Sequence, residues 1–80
     1  MNKTIFLEIS NVEYIDGYKL ALQFNTGEKK VVDLKNELNG EVFAPLKDKN
    51  FFKQGKVVYN TVEWPNGADF APEYLYELNR

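Results

Sequence analysis

The densest grouping of residues able to do chemistry runs Trp64-Pro65-Asn66-Gly67-Ala68-Asp69-Phe70-Ala71-Pro72-Glu73. An indole and a side-chain amide two residues apart could form a recognition surface, with Asp69 and Glu73 as a carboxylate pair beside it. Carboxylates four residues apart recur too often to define a glycosidase, and no third oxygen ligand for a metal lies nearby in sequence. The same string has a structural reading, which we prefer. Trp64 is then a core or rim anchor and Asn66-Gly67 a turn. Asp69 satisfies free amides and favours the positive end of the last helix. On the functional reading, Trp64, Asn66, Asp69 and Glu73 are the candidate partner-binding residues.

The rest of the chain offers little catalytic equipment. It contains no histidine and no cysteine. Serine–histidine and cysteine–histidine nucleophile pairs, histidine-ligated zinc and imidazole acid–base catalysis are therefore all absent. Ser10, Thr26 and Thr61 carry hydroxyls with no imidazole to activate them. Gly27-Glu28-Lys29-Lys30 has a glycine but not the spacing of a phosphate-cradling loop. We expect no enzyme activity, no catalytic residue, no cofactor and no bound metal.

Charge narrows the choice of partner. Net charge is −2, and the single arginine, Arg80, leaves almost no bidentate donor for phosphate or guanine. Lys47, Lys49, Lys53 and Lys56 make one basic segment, against a following stretch that carries Glu63, Asp69, Glu73 and Glu77. Four lysines in an acidic protein fall short of a nucleic-acid footprint, so nucleic acid is not expected for this chain alone. The leading apolar run, Ile5-Phe6-Leu7, is too short for a signal-peptide core, and no stretch approaches the length of a membrane span. A cysteine-free chain suits a reducing compartment, and a cytoplasmic location is the expectation.

Eighty residues hold one hydrophobic core, so residues 1–80 are read as a single domain. Six Phe, five Tyr and one Trp supply large buried areas to a thin core. Ile5, Leu7 and Ile9 alternate, then the apolar phase moves to Val12 and Tyr14, which predicts a bulge at Ser10-Asn11. Tyr18, Leu20, Leu22 and Phe24 form the apolar face of a second strand. A three-residue loop, Ile15-Asp16-Gly17, would set Tyr14 opposite Tyr18 and Val12 opposite Leu20, keeping one face apolar. Asn25-Thr26-Gly27 has the same form and leads into a third strand, in which Val31-Val32 leaves the register open.

Asp33 is read as the N-cap of a short helix bearing Leu34 and Leu38 and ending at Asn39-Gly40. Asp48 to Phe52 is read as one helical turn, and Lys56 to Tyr59 and Thr61 to Trp64 as two short strands. Pro72 opens a final helix with Tyr74, Leu75 and Leu78 inward and Glu73 and Glu77 outward. The expected fold is α+β: an antiparallel β-meander of about five strands, a short mid-chain helix and a packed C-terminal helix.

Several of these stretches carry a resemblance. Asp16-Gly17-Tyr18-Lys19-Leu20, Phe24-Asn25-Thr26-Gly27-Glu28, Val32-Asp33-Leu34, Val42-Phe43-Ala44-Pro45-Leu46-Lys47-Asp48 and the long string from Trp64 to Tyr76 resemble the bacterial family called domain of unknown function 2442. The resemblance brings no catalytic residues. It implies a domain that in some relatives precedes a helix-turn-helix module, and genes that often stand beside a second small family, as toxin–antitoxin pairs do. The expected role is protein–protein interaction, as an antidote-like member of a two-gene pair or a sensory domain without its DNA-binding module. The expected partner is a protein, with self-association open. The alternative is a small-molecule or nucleic-acid binder using Trp64 to Glu73.

Overall fold

Two antiparallel three-stranded sheets carry the chain in a computed structural model that describes residues 6–78. The first sheet is β1 (Ile9–Tyr14), β2 (Lys19–Phe24) and β3 (Lys29–Asp33), in sequence order. Single 3-10 turns at Lys35–Glu37 and Ala44–Lys47 lead to the four-residue helix α1 (Lys49–Phe52). The second sheet is β4 (Lys56–Val58), β5 (Thr61–Glu63) and β6 (Asp69–Phe70), and α2 (Pro72–Leu78) follows it. Six strands in two sheets thus replace the expected meander of about five. The missing one was β6, two residues long and too short to show alternation.

The bulge lies where the apolar phase changes. Ile9 pairs with Phe24 and Asn11 with Gln23, so Ser10 is the extra residue. The first hairpin departs from expectation. Tyr14 pairs with Leu20 and Val12 with Leu22, and the loop is Asp16-Gly17-Tyr18, closed by the Ile15 amide donating to the Lys19 carbonyl. The register has moved by two residues, which preserves the apolar face. Tyr18 is thereby released from β1: its carbonyl accepts the Leu34 amide, and its ring meets Phe52 edge-on at 5.3 Å.

The loops Asn25-Thr26-Gly27 and Pro65-Asn66-Gly67 are built alike. Gly27 N–H donates to the Phe24 carbonyl and Gly67 N–H to the Trp64 carbonyl, closing type I turns. Each turn ends on a glycine at positive φ, +93° and +89°, where a side chain is disfavoured. The two-residue Tyr59-Asn60 turn between β4 and β5 is costlier, with both residues at positive φ (51° and 70°). Its Asn60 carbonyl accepts the Ile9 amide at 2.8 Å, joining the second sheet to the start of β1.

Leu20, Leu22, Phe24 and Val32 from the first sheet meet Val62, Phe70 and Leu75 in one buried cluster. Asp33 accepts the Lys35 amide at 3.0 Å, but it is not the N-cap: that position falls on Leu34, which has no side-chain cap, and the element is a single 3-10 turn rather than a helix. Leu34 and Leu38 on either side of that turn are buried as expected. Asp48 caps α1 through the Asn50 amide at 3.0 Å. In α2, Leu75 is buried and Leu78 half-buried. Tyr74, expected to face inward, is 46% exposed. Tyr76 takes the inner position instead, its ring edge-on to Phe24 at 5.2 Å. Among the described residues no helix is long and apolar enough to cross a membrane.

Candidate functional site

Trp64 directly follows β5 and turns its indole inward, where it is 1% exposed. The ring N–H donates to the Phe52 carbonyl at 2.8 Å, which satisfies a buried polar atom and ties the last strands to α1. Phe52 lies at 5.6 Å and Phe70 at 6.0 Å from the indole, ring centre to ring centre, the latter edge-on. Gly55 passes so close that a Cβ built on it would stand 2.8 Å from Cε2. The indole therefore offers no face to a partner, and Trp64 leaves the set of surface candidates.

Asn66 organises the turn that the sequence predicts. Its Oδ1 accepts the Ala68 amide at 3.1 Å, and its Nδ2 donates to the Val42 carbonyl at 2.9 Å. The second bond fastens the turn to a loop 24 residues earlier. Asp69 lies exposed in β6. It accepts no hydrogen bond among the described residues, so the capping role read for it belongs to Asn66 at the turn. Glu73 is exposed on the first turn of α2. Among the described residues no three acidic side chains come together as metal ligands.

Asp69 has a like charge directly across the ladder, because it pairs with Glu63. Facing carboxylates repel, and an exposed side chain without bonds contributes little. Asp69→Ala should accordingly leave stability within about 0.5 kcal/mol of wild type, or raise it slightly. Urea unfolding decides this, and a loss beyond about 1 kcal/mol would restore a capping role.

The basic segment is partly folded back on aromatic rings. Lys49 Nζ lies 5.8 Å from the centre of the Tyr18 ring and Lys53 Nζ 5.6 Å from that of Tyr14. Elsewhere, α2 is clipped to the rest of the domain by tyrosine–carboxylate bonds. Tyr76 donates to Glu28 at 2.6 Å and Tyr74 donates to Glu37. The Tyr76 hydroxyl, then that of Thr26, holds the Glu28 carboxyl below its ordinary value. Donation to carboxylates in turn raises both tyrosines.

A further surface feature is the edge of β3, which no described strand covers. Helix α2 approaches it from the side of Lys30, whose Nζ lies 4.6 Å from the centre of the Tyr76 ring. Phe24 N–H donates to the Glu28 carbonyl and Leu34 N–H to the Tyr18 carbonyl, with Leu22 opposite Lys30 and Leu20 opposite Val32 between them. Antiparallel ladders alternate, so Lys29, Val31 and Asp33 turn their N–H and C=O groups away from β2. No other described strand pairs with them. The Val31 side chain is 48% exposed on the outer face of the sheet. Next to it that face has a shallow depression lined by Asn11, Glu13, Ala21, Gln23 and Lys29.

A two-sheet α+β domain, stitched by aromatic packing and with the edge of β3 unpaired by any described strand, is the class that fold and surface define. The chain belongs to the family described as protein of unknown function DUF2442, whose model matches residues 9–80. It is also similar to a crystal structure from Nitrosomonas europaea ATCC 19718 that carries the provisional description of a DNA-binding protein. Identity is 27% and the TM-score 0.82, over 99% of this chain and 52% of that one. This chain thus spans about half the length of that relative. No curated protein matches it.

Proposed function

We propose that this domain is a protein-interaction module that takes up a strand of its partner along the edge of β3. The observation that carries this reading is the row of outward peptide groups at Lys29, Val31 and Asp33, with the half-exposed Val31 side chain at its centre. Unpaired strand edges bind by adding a strand: main-chain bonds supply affinity and alternate side chains supply selectivity. The role is non-enzymatic. It suits either an antidote-like member of a two-gene pair or a sensing half of a longer regulator. That this chain spans about half the length of the Nitrosomonas relative supports the second, in which DNA contact falls to another module of a longer regulator. Binding of a small molecule or nucleic acid through Trp64 to Glu73 has less support, since the indole is buried.

Val31→Pro tests the reading, because it removes a donor aimed at solvent and no bond of the β2–β3 ladder. Circular dichroism should show the variant folded, while capture of host proteins by the tagged domain should be lost. Capture unchanged from wild type would overturn the β3 edge as the docking site. Loss of capture in Asp69→Ala or Glu73→Ala instead would move the site to the Trp64–Glu73 string.

A further inference from the structure

We infer that the strand added at the β3 edge is β3 of a second copy of this chain, an inference that rests on the docking reading above. The edge is complementary to itself. Two β3 strands laid antiparallel about a twofold axis through Val31 bring Val31 opposite Val31 of the second copy. The same register sets Lys29 of each chain opposite Asp33 of the other. The three residues with outward peptide groups are also the three that face one another, so all six outward amides of the dimer find carbonyls.

Neighbouring registers do worse. A shift of two residues one way sets Lys29 against Lys35 and Val31 against Asp33. A shift the other way sets Asp33 against Gly27 and Val31 against Lys29, and both ion pairs are lost. Within each chain Lys19 already stands opposite Asp33. The twofold register therefore continues the row as Lys19, Asp33 and the second copy's Lys29, with signs alternating. Val31 and its symmetry mate cover each other, and the two sheets become one six-stranded sheet. A twofold contact is self-complementary by construction, and this edge meets that requirement in backbone, charge and shape.

Five-residue strands bury less than a standard interface, so the dimer is weak, and sedimentation equilibrium should be run up to ~1 mM protein. Wild type should approach twice the monomer mass as concentration rises. Lys29→Asp places two carboxylate pairs across the axis and Asp33→Lys two lysine pairs. Each variant alone should dissociate roughly tenfold or more readily, since like charges directly opposite are destabilising. An equimolar mixture of the two restores opposite charges at both contacts and should recover wild-type association, which also shows that both variants are folded. If Asp33→Lys fails to fold for want of its bond to the Lys35 amide, Lys29→Asp serves alone. Its association should return at ~1 M salt, where the Debye length is only ~3 Å.

A wild-type protein that stays monomeric overturns the inference and makes Lys29 and Asp33 guards against pairing. So does a dimer indifferent to Lys29→Asp, or a mixture as weak as its components. If wild type is monomeric while Val31→Pro still abolishes capture, the edge docks a different chain. If capture is also unchanged, the docking reading falls with it.

Discussion

Replacing Trp64 by alanine is expected to lower stability by about 3–5 kcal/mol, the usual loss for truncating a large buried aromatic. Two effects combine at this position. The void would lie among Phe52, Phe70 and Gly55, where the four-residue α1 and the two-residue β6 have little backbone structure of their own to hold them. The Phe52 carbonyl also loses its indole donor. Domains of this size are stable by only about 5–15 kcal/mol, so the variant should lie near the edge of folding. Trp64→Phe should fall between the two, keeping most of the apolar volume and losing the hydrogen bond. Urea unfolding followed by circular dichroism gives the order. A Trp64→Ala midpoint equivalent to less than about 1 kcal/mol would mean that the indole is peripheral.

Gly55→Ala should cost about 1–3 kcal/mol, the range for forcing one extra carbon into a packed core. Its Cβ would lie 2.8 Å from Cε2 and 2.9 Å from Nε1 of Trp64. Neither the indole nor the Gly55 backbone can retreat without breaking the bond to Phe52. Gly55 does not sit at positive φ. Alanine is therefore not opposed by backbone preference there and would gain about 0.4–1 kcal/mol by restricting the unfolded chain. A net loss then reports the steric contact alone. Combining Gly55→Ala with Trp64→Phe should recover part of the loss, since residues in contact are not additive. Wild-type stability in Gly55→Ala would contradict the packing described for Trp64.

Periodicity revealed which faces are buried, but not the offsets between strands. Leu20, Leu22 and Phe24 fall on the inner face as their alternation requires, and the change of phase after Ile9 is the observed bulge. Registers two residues apart bury the same face, so nothing in the pattern could choose between Tyr14 opposite Tyr18 and Tyr14 opposite Leu20. The choice depends on tertiary contacts of Tyr18, with Phe52 and with the carbonyl of Lys47, which local sequence does not encode. Asn66-Gly67 was legible as a turn because its chemistry is local. The roles of Asp69 and Tyr74 were not, because each depends on what lies across a ladder or on another element. The β3 edge is harder still. Whether a strand is terminal in its sheet follows from the order of strands, although burial of Val32 by alternation already requires Val31 to point outward.

Trp64 is also the sole indole in the chain, which makes the molecule its own optical probe. A ring shielded from water and hydrogen-bonded to a main-chain carbonyl emits at short wavelength, and exposure to solvent moves the emission to the red. Phe52 lies on one side of this ring and Phe70 on another, so separation of α1 or of β6 from the core reaches the same fluorophore. Val31 faces away from that core. Association along β3 should therefore change molecular mass while the emission stays constant, whereas loss of packing should change the emission first. The two events can thus be followed separately in one unlabelled sample.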